Sequence, residues 1–151
     1  MANIFLMKLD QIQPCKLFID SEKLSYVLGN YDRFRPELLE PLPVKKFGND
    51  VVLMDCHTIA LAAYLRGISE VRVYWDEEES DYDAYQICVD WCKNEGVHSI
   101  ADLRDRVVSA KEYDVLWRER CEKMLQDLEA KRATISTIVI NPEEQKLQES
   151  D

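Results

Sequence analysis

Basic residues are scarce in this chain. Lysine and arginine total 19 against 29 aspartates and glutamates, a formal charge of −10 at pH 7. An excess of that sign repels phosphate backbones and anionic lipid surfaces, which disfavours nucleic acid as a partner. Long apolar runs are missing as well. The start, MANIFLMKLD, holds four successive apolar residues, Ile4 to Met7, with no basic lead-in and no small-residue cleavage pattern, so no signal peptide is read there. No run reaches the length that a bilayer requires, and no membrane association is expected. A disulfide framework is absent too: five cysteines, an odd number without an export signal, point to free thiols in a reducing cytoplasm. There is no internal repeat. The 151 residues suffice for one domain with a real core.

What is present reads as short strands followed by helices. MKLDQI, residues 7–12, alternates apolar and polar until Pro14, as a half-buried strand does. SEKLSYVLGNYD has a cap-like Ser21, then Leu24, Val27 and Leu28 at helical spacing. In ELLEPLPVKKFGNDVVLMD, Pro41 and Pro43 mark an entry, Phe47 to Asp50 a turn, and Val51 to Met54 a buried strand, which together predict a hairpin. VRVYW, residues 71–75, is a further strand. From residue 80 the period changes to 3.6: Ala84, Ile87, Cys88, Trp91 and Cys92 form one helical stripe that Gly96 terminates. Ser99 with Asp102 predicts a short capped helix, and Ser109 with Glu112 caps a long one striped by Tyr113, Leu116, Trp117, Cys121, Met124, Leu125 and Leu128. After it TISTIVI is strand-like, and NPEEQKLQESD is polar enough to be disordered.

One stretch carries chemistry. MDCHTIALAAYLRG, residues 54–67, sets strand, turn, helix and closing glycine in succession, followed by another strand. A helix N-terminus leaves its first N–H groups unpaired and carries about half a positive charge, so an anionic group, a phosphate above all, is the natural ligand there.

The order of elements over residues 7–76 resembles the ParB/sulfiredoxin-like superfamily, in which a hairpin strand enters a D-G-H-x-R turn and then a small-residue helix. The matching residues are Asp55, His57, Ala60, Ala62, Ala63, Tyr64, Gly67 and Tyr74, with Lys23 and Leu24 in the upstream helix and Leu42-Pro43-Val44 before the hairpin. The resemblance implies an α/β (α+β) fold with a small mixed sheet and, in this chain, a C-terminal helical extension. Residues 1–76 would form the core, 77–133 the extension packed on it within the same domain, and 134–151 a strand-like segment and polar tail. It also implies a nucleotide or phosphate-bearing ligand at the Asp55–Ile59 turn, contacted by Cys56, His57, Thr58, Ile59 and Lys16. ATP or another nucleotide with magnesium would be the cofactor, and phosphotransfer to a small molecule an attached activity with Asp55 and His57 in the catalytic roles. The chain departs from the motif twice, with Cys56 where glycine is usual and Ile59 where arginine is usual. Losing that arginine removes a charge-assisted fork contact of about 1.5–3 kcal/mol. The first-strand loop, Gln13-Pro14-Cys15-Lys16, also lacks the carboxylate that a phosphotransferase of this kind uses as a general base.

Three readings of Cys56 and His57 follow. A helix N-terminus favours a thiolate, so Cys56 is a candidate nucleophile, although adjacent residues on one turn point apart and leave His57 poorly placed as its base. In the second, Cys56 fills a small buried space and His57 is a hydrogen-bonded turn residue. In the third, His57 and Asp55 make polar contacts to a ligand. No metal site is expected: Cys88 and Cys92 lie on the apolar stripe without a completing pair, and the acidic run Asp76 to Asp81 lacks calcium-loop spacing. The alternative to a ligand-binding domain is a non-catalytic interaction or regulatory module whose C-terminal helix and TISTIVI segment pair with a partner or with a second copy as a homodimer.

Overall fold

The computed structural model describes residues 3–30 and 39–150, with side chains through residue 137. Tyr31 and Asp32, at the end of the first helical pattern, and Glu37 and Leu38, at the start of the hairpin pattern, lie outside the described residues.

The fold is α+β. Its main sheet has four strands: β1 (Ile4–Lys8), β3 (Leu42–Phe47), β4 (Asp50–Leu53) and β5 (Glu70–Trp75). Their spatial order is β1-β5-β3-β4, with β1 antiparallel to β5, β5 parallel to β3, and β3 antiparallel to β4. The hairpin forms where the turn chemistry placed it, with Gly48 at φ +63°, a conformation that an L side chain resists. Residue alternation decides the buried face of the β1/β5 pair: Phe5 faces Val73 and Met7 faces Val71, while Ile4 and Leu6 on the other face stay exposed. The first strand therefore begins at Ile4 and ends at Lys8, earlier than its alternation from Met7 suggested. The Leu9 N–H to Ser69 O bond continues the β1/β5 register by one step, and the chain then makes a single 3-10 turn, Leu9–Gln11.

A second, two-stranded parallel sheet joins β2 (Ile19–Asp20) to β6 (Val107–Val108). These are too short to leave a sequence pattern. Helix α1 (Ser21–Asn30) follows β2 directly, and Asp20 Oδ1 accepts the Glu22 N–H at 2.9 Å, so Asp20 supplies the cap that Ser21 was expected to provide. Helix α2 (His57–Leu65) buries Ala60, Leu61, Ala62 and Ala63 and packs between α1 and the 3-10 segment Ile100–Arg106. Helix α3 (Tyr82–Asn94) buries Ala84, Cys88, Val89 and Cys92, and its N-cap is Asp81, which accepts the Ala84 N–H. The two capping boxes, Ser99 with Asp102 and Ser109 with Glu112, are both formed.

The C-terminal helix starts as α4 (Ala110–Tyr113), passes through a π-helical segment at Asp114–Arg118, and continues as α5 (Glu119–Ser150). The wider π turn shifts the helical register. Tyr113, Trp117 and Met124 are buried, whereas Leu116 and Leu125 of the expected stripe are exposed. TISTIVI is helical and not a strand, and the helical backbone runs on through the tail expected to be disordered. Here β propensity loses to an existing helix, since each added residue gains an i→i−4 bond without a new nucleus. Thr134 and Thr137 adapt by donating their hydroxyls to Ala130 O and Ala133 O at 3.0 and 2.9 Å. Arg132 ties α5 to α3 through a two-pronged contact with Asp81. No helix among the described residues is long and apolar enough to cross a membrane.

Candidate functional site

The site is assembled by a loop laid against a strand edge. Gln13 extends the β4 edge, donating its N–H to Val51 O at 2.8 Å and accepting the Leu53 N–H at 2.9 Å. Its buried side chain donates to Pro14 O and Val97 O. With Gln13 fixed, Cys15 lies against the end of β4, where its thiol donates to Leu53 O at 3.1 Å, and Lys16 is carried to the side of the Asp55 turn.

His57 locks this arrangement. Its Nε2 accepts the Cys15 backbone N–H at 3.1 Å, which requires a neutral ring with the proton on Nδ1. Burial, helped by the nearby Lys16 charge, pushes its pKa from 6.5 down to about 3. A ring held neutral, with its acceptor nitrogen already engaged, joins two loops and is poorly suited to moving protons.

Cys56 adopts φ +68°, ψ +33°, the left-handed region that glycine occupies without strain. Its thiol is half-buried, and desolvation, followed by the Asp55 charge, raises its pKa. That is the reverse of what a helix N-terminus alone predicts for a nucleophile. Asp55 is exposed, with Oδ1 accepting the Cys56 N–H at 2.7 Å.

Lys16, Asp55, Cys56, His57, Thr58 and Ile59 all line one hollow of about 540 Å³, so the structure brings every residue expected at the ligand turn to a single place. Asp20, Glu22, Lys23, Tyr26 and Val27 complete it. Among the described residues no side chain caps α2, whose first intrahelical bond runs from the Ala60 N–H to Cys56 O. The N–H groups of its first turn therefore remain for a ligand. A second cavity of about 320 Å³ adjoins the first through Lys16, Asp55 and His57, and its wall includes Tyr85, Cys88, Trp117, Cys121 and Met124. Lys16 is mostly buried, and desolvation lowers its pKa against the opposing pull of Asp55. Its ammonium also sits 5.1 Å from the Tyr113 ring centroid.

Sequence reasoning missed this second cavity. Beside the turn residues Lys16, Asp55 and His57, its wall draws on α3, the π segment and α5, whose Ala84, Cys88, Trp117, Cys121, Met124 and Leu125 were assigned to apolar core stripes; the departure from 3.6 periodicity at Asp114–Arg118 is visible only in three dimensions. Among the described residues no group of three or more His, Cys, Asp or Glu side chains is placed to hold a metal ion.

No family model and no curated protein matches this chain. Among solved structures, it is similar to protein Atu1540 from Agrobacterium tumefaciens at 13% identity and a TM-score of 0.45, over 65% of this chain and 50% of that one. The chain thus spans about half the length of that protein.

Proposed function

We propose that this chain binds a phosphate-bearing ligand, a nucleotide or a related phosphate ester, at the Asp55–Ile59 turn. One observation carries the reading: the uncapped N-terminus of α2 opens into a hollow that also holds Lys16 and Lys23. A phosphate there would meet backbone N–H groups, the positive end of the helix dipole and two ammonium groups. The adjoining cavity supplies the apolar and aromatic wall that the rest of such a ligand needs, through Tyr85, Trp117 and Met124. Asp20, Glu22 and Asp55 line the same hollow, and their charges favour a ligand that arrives with magnesium. Binding is better supported than phosphotransfer, because His57 is committed to the Cys15 N–H, which leaves the exposed carboxylates Asp55 and Glu22 as the candidate bases in the hollow. The five free thiols fit a cytoplasmic setting.

The test is a thermal-shift series against nucleotides and inorganic phosphate, with and without magnesium. A ligand at 100 times its dissociation constant adds about 2.7 kcal/mol of stability. Lys16→Gln should weaken that response, and Ile59→Arg, which returns a cation to the rim of the hollow, should strengthen it. A flat response of the folded wild-type chain to the whole panel refutes the reading. An interaction module then becomes the better account, favoured by the exposed Leu125 and Ile135 on α5, 46% and 53% accessible, with a second copy of the chain as the partner to test.

A further inference from the structure

Helices α3 and α5 run antiparallel, tied at one end by Arg120 to Glu95 at 3.0 Å and at the other by Arg132 to Asp81 at 2.7 Å. Between these ties lies an open groove of about 310 Å³. Its apolar lining comes from Ile87 and Trp91 of α3 and from Met124 and Leu128 of α5. Trp91 is held on two sides: the Trp117 ring meets it edge-on at 6.1 Å, and the Arg120 guanidinium lies 4.1 Å from its centroid. A partly exposed Trp–Arg pair fixed in this way is the kind of anchor that carries protein interfaces. The charges are one-sided. Arg120, Lys123 and Lys131 line the groove against a single carboxylate, Asp127, in a chain whose net charge is −10. Positions 120, 123, 127 and 131 share one helical stripe, whereas Glu119, Glu122 and Glu129 fall outside it and do not line the groove. On α3, Asp83 is turned to Arg132 and Asp90 accepts from Gln86, and neither lines the groove.

We propose that this groove docks an acidic amphipathic helix of a partner protein. The partner's aliphatic face rests on Ile87, Trp91 and Leu128, and its carboxylates lie over the exposed Lys123 and Lys131. Positions 120 to 131 rise about 16 Å along α5, which matches about three turns of a docked helix. The apolar lining requires more than an anion, and the three cations select against a basic or neutral segment. A second copy of the chain is a poor occupant: seated groove to groove, it would set these cations against their own counterparts. Nucleic acid is disfavoured by the repulsion of the whole chain. The groove shares only Met124 with the cavity beside the Asp55 turn, so docking there does not depend on what binds at the turn.

Fluorescence anisotropy on the full chain provides the test. The probe is a fluorescein-labelled synthetic helix of about four turns, with leucines at i, i+3, i+4 and i+7 flanked by glutamates. It should bind saturably and more weakly as salt is raised, and a version with serine in place of leucine should not bind. Lys123→Glu combined with Lys131→Glu should weaken the probe by about tenfold or more, because each attraction becomes a repulsion. Both positions are exposed, and circular dichroism confirms that the variant is folded. Lys46→Glu combined with Lys111→Glu makes the same change in net charge at exposed lysines outside the groove and should leave binding nearly unchanged. No saturable binding, equal binding of a probe with lysine in place of glutamate, full binding by the groove variant, or equal losses in the two double variants would overturn the proposal. Self-association of the wild-type chain in sedimentation that the groove variant abolishes would assign the groove to a second copy, and would overturn it as well.

Discussion

Substituting His57 by glutamine tests the lock between the loop and the turn through its pH dependence. In the folded chain the histidine pKa falls from 6.5 to about 3 because the ring is buried. A base whose folded pKa is depressed contributes stability that is fully present above the unfolded value of 6.5. That stability is lost as pH falls toward about 3, because the unfolded state takes up the proton first. At 1.36 kcal/mol per tenfold change in proton affinity, the whole difference is about 5 kcal/mol, of which about 2 kcal/mol is lost between pH 7.5 and pH 5. His98 shows no comparable burial. With a urea slope of about 1–3 kcal/mol/M, the wild-type midpoint should fall by about 1 M over that range. His57→Gln keeps an acceptor for the Cys15 N–H and removes the titrating group, so its midpoint should stay nearly level. The assay is urea unfolding followed by tryptophan fluorescence at both pH values. Equal pH sensitivity in wild type and His57→Gln would refute a buried neutral His57.

Cys56→Gly should be neutral or stabilising by up to about 1 kcal/mol, since relief of the left-handed backbone outweighs the added freedom of the unfolded chain, whereas Cys56→Val should cost about 2 kcal/mol or more; a glycine variant less stable than the valine variant in chemical denaturation would contradict the strain. Gln13→Leu should destabilise by about 2 kcal/mol by leaving Val97 O buried without its donor, and a shift within error would show that Gln13 does not anchor the loop. Truncation after Arg132 should leave the melting temperature unchanged, because residues 133–137 are exposed and Arg132 keeps its contact with Asp81. A lower melting temperature, or a change in sedimentation relative to the full chain, would assign the distal helix to an interface.

The sequence alone determined the elements whose signals are local. The hairpin around Gly48, both capping boxes, the α3 stripe and the strand-turn-helix at residues 51–65 depend on neighbours three or four positions away, so alternation, turn residues and caps suffice to specify them. The turn Asp55 to Ile59 was legible for the same reason, being contiguous in the chain. Tertiary structure decided the rest. The tie from the Cys15 N–H to His57 spans 42 positions, and the β2/β6 pair joins two dipeptides more than 80 residues apart; neither leaves a periodic trace. TISTIVI has the composition of a strand, yet a helix that already exists propagates through it at less cost than a new strand without a partner. Cys88 and Cys121 illustrate the same division: spacing placed both on apolar stripes, and only the tertiary packing made them part of one cavity wall.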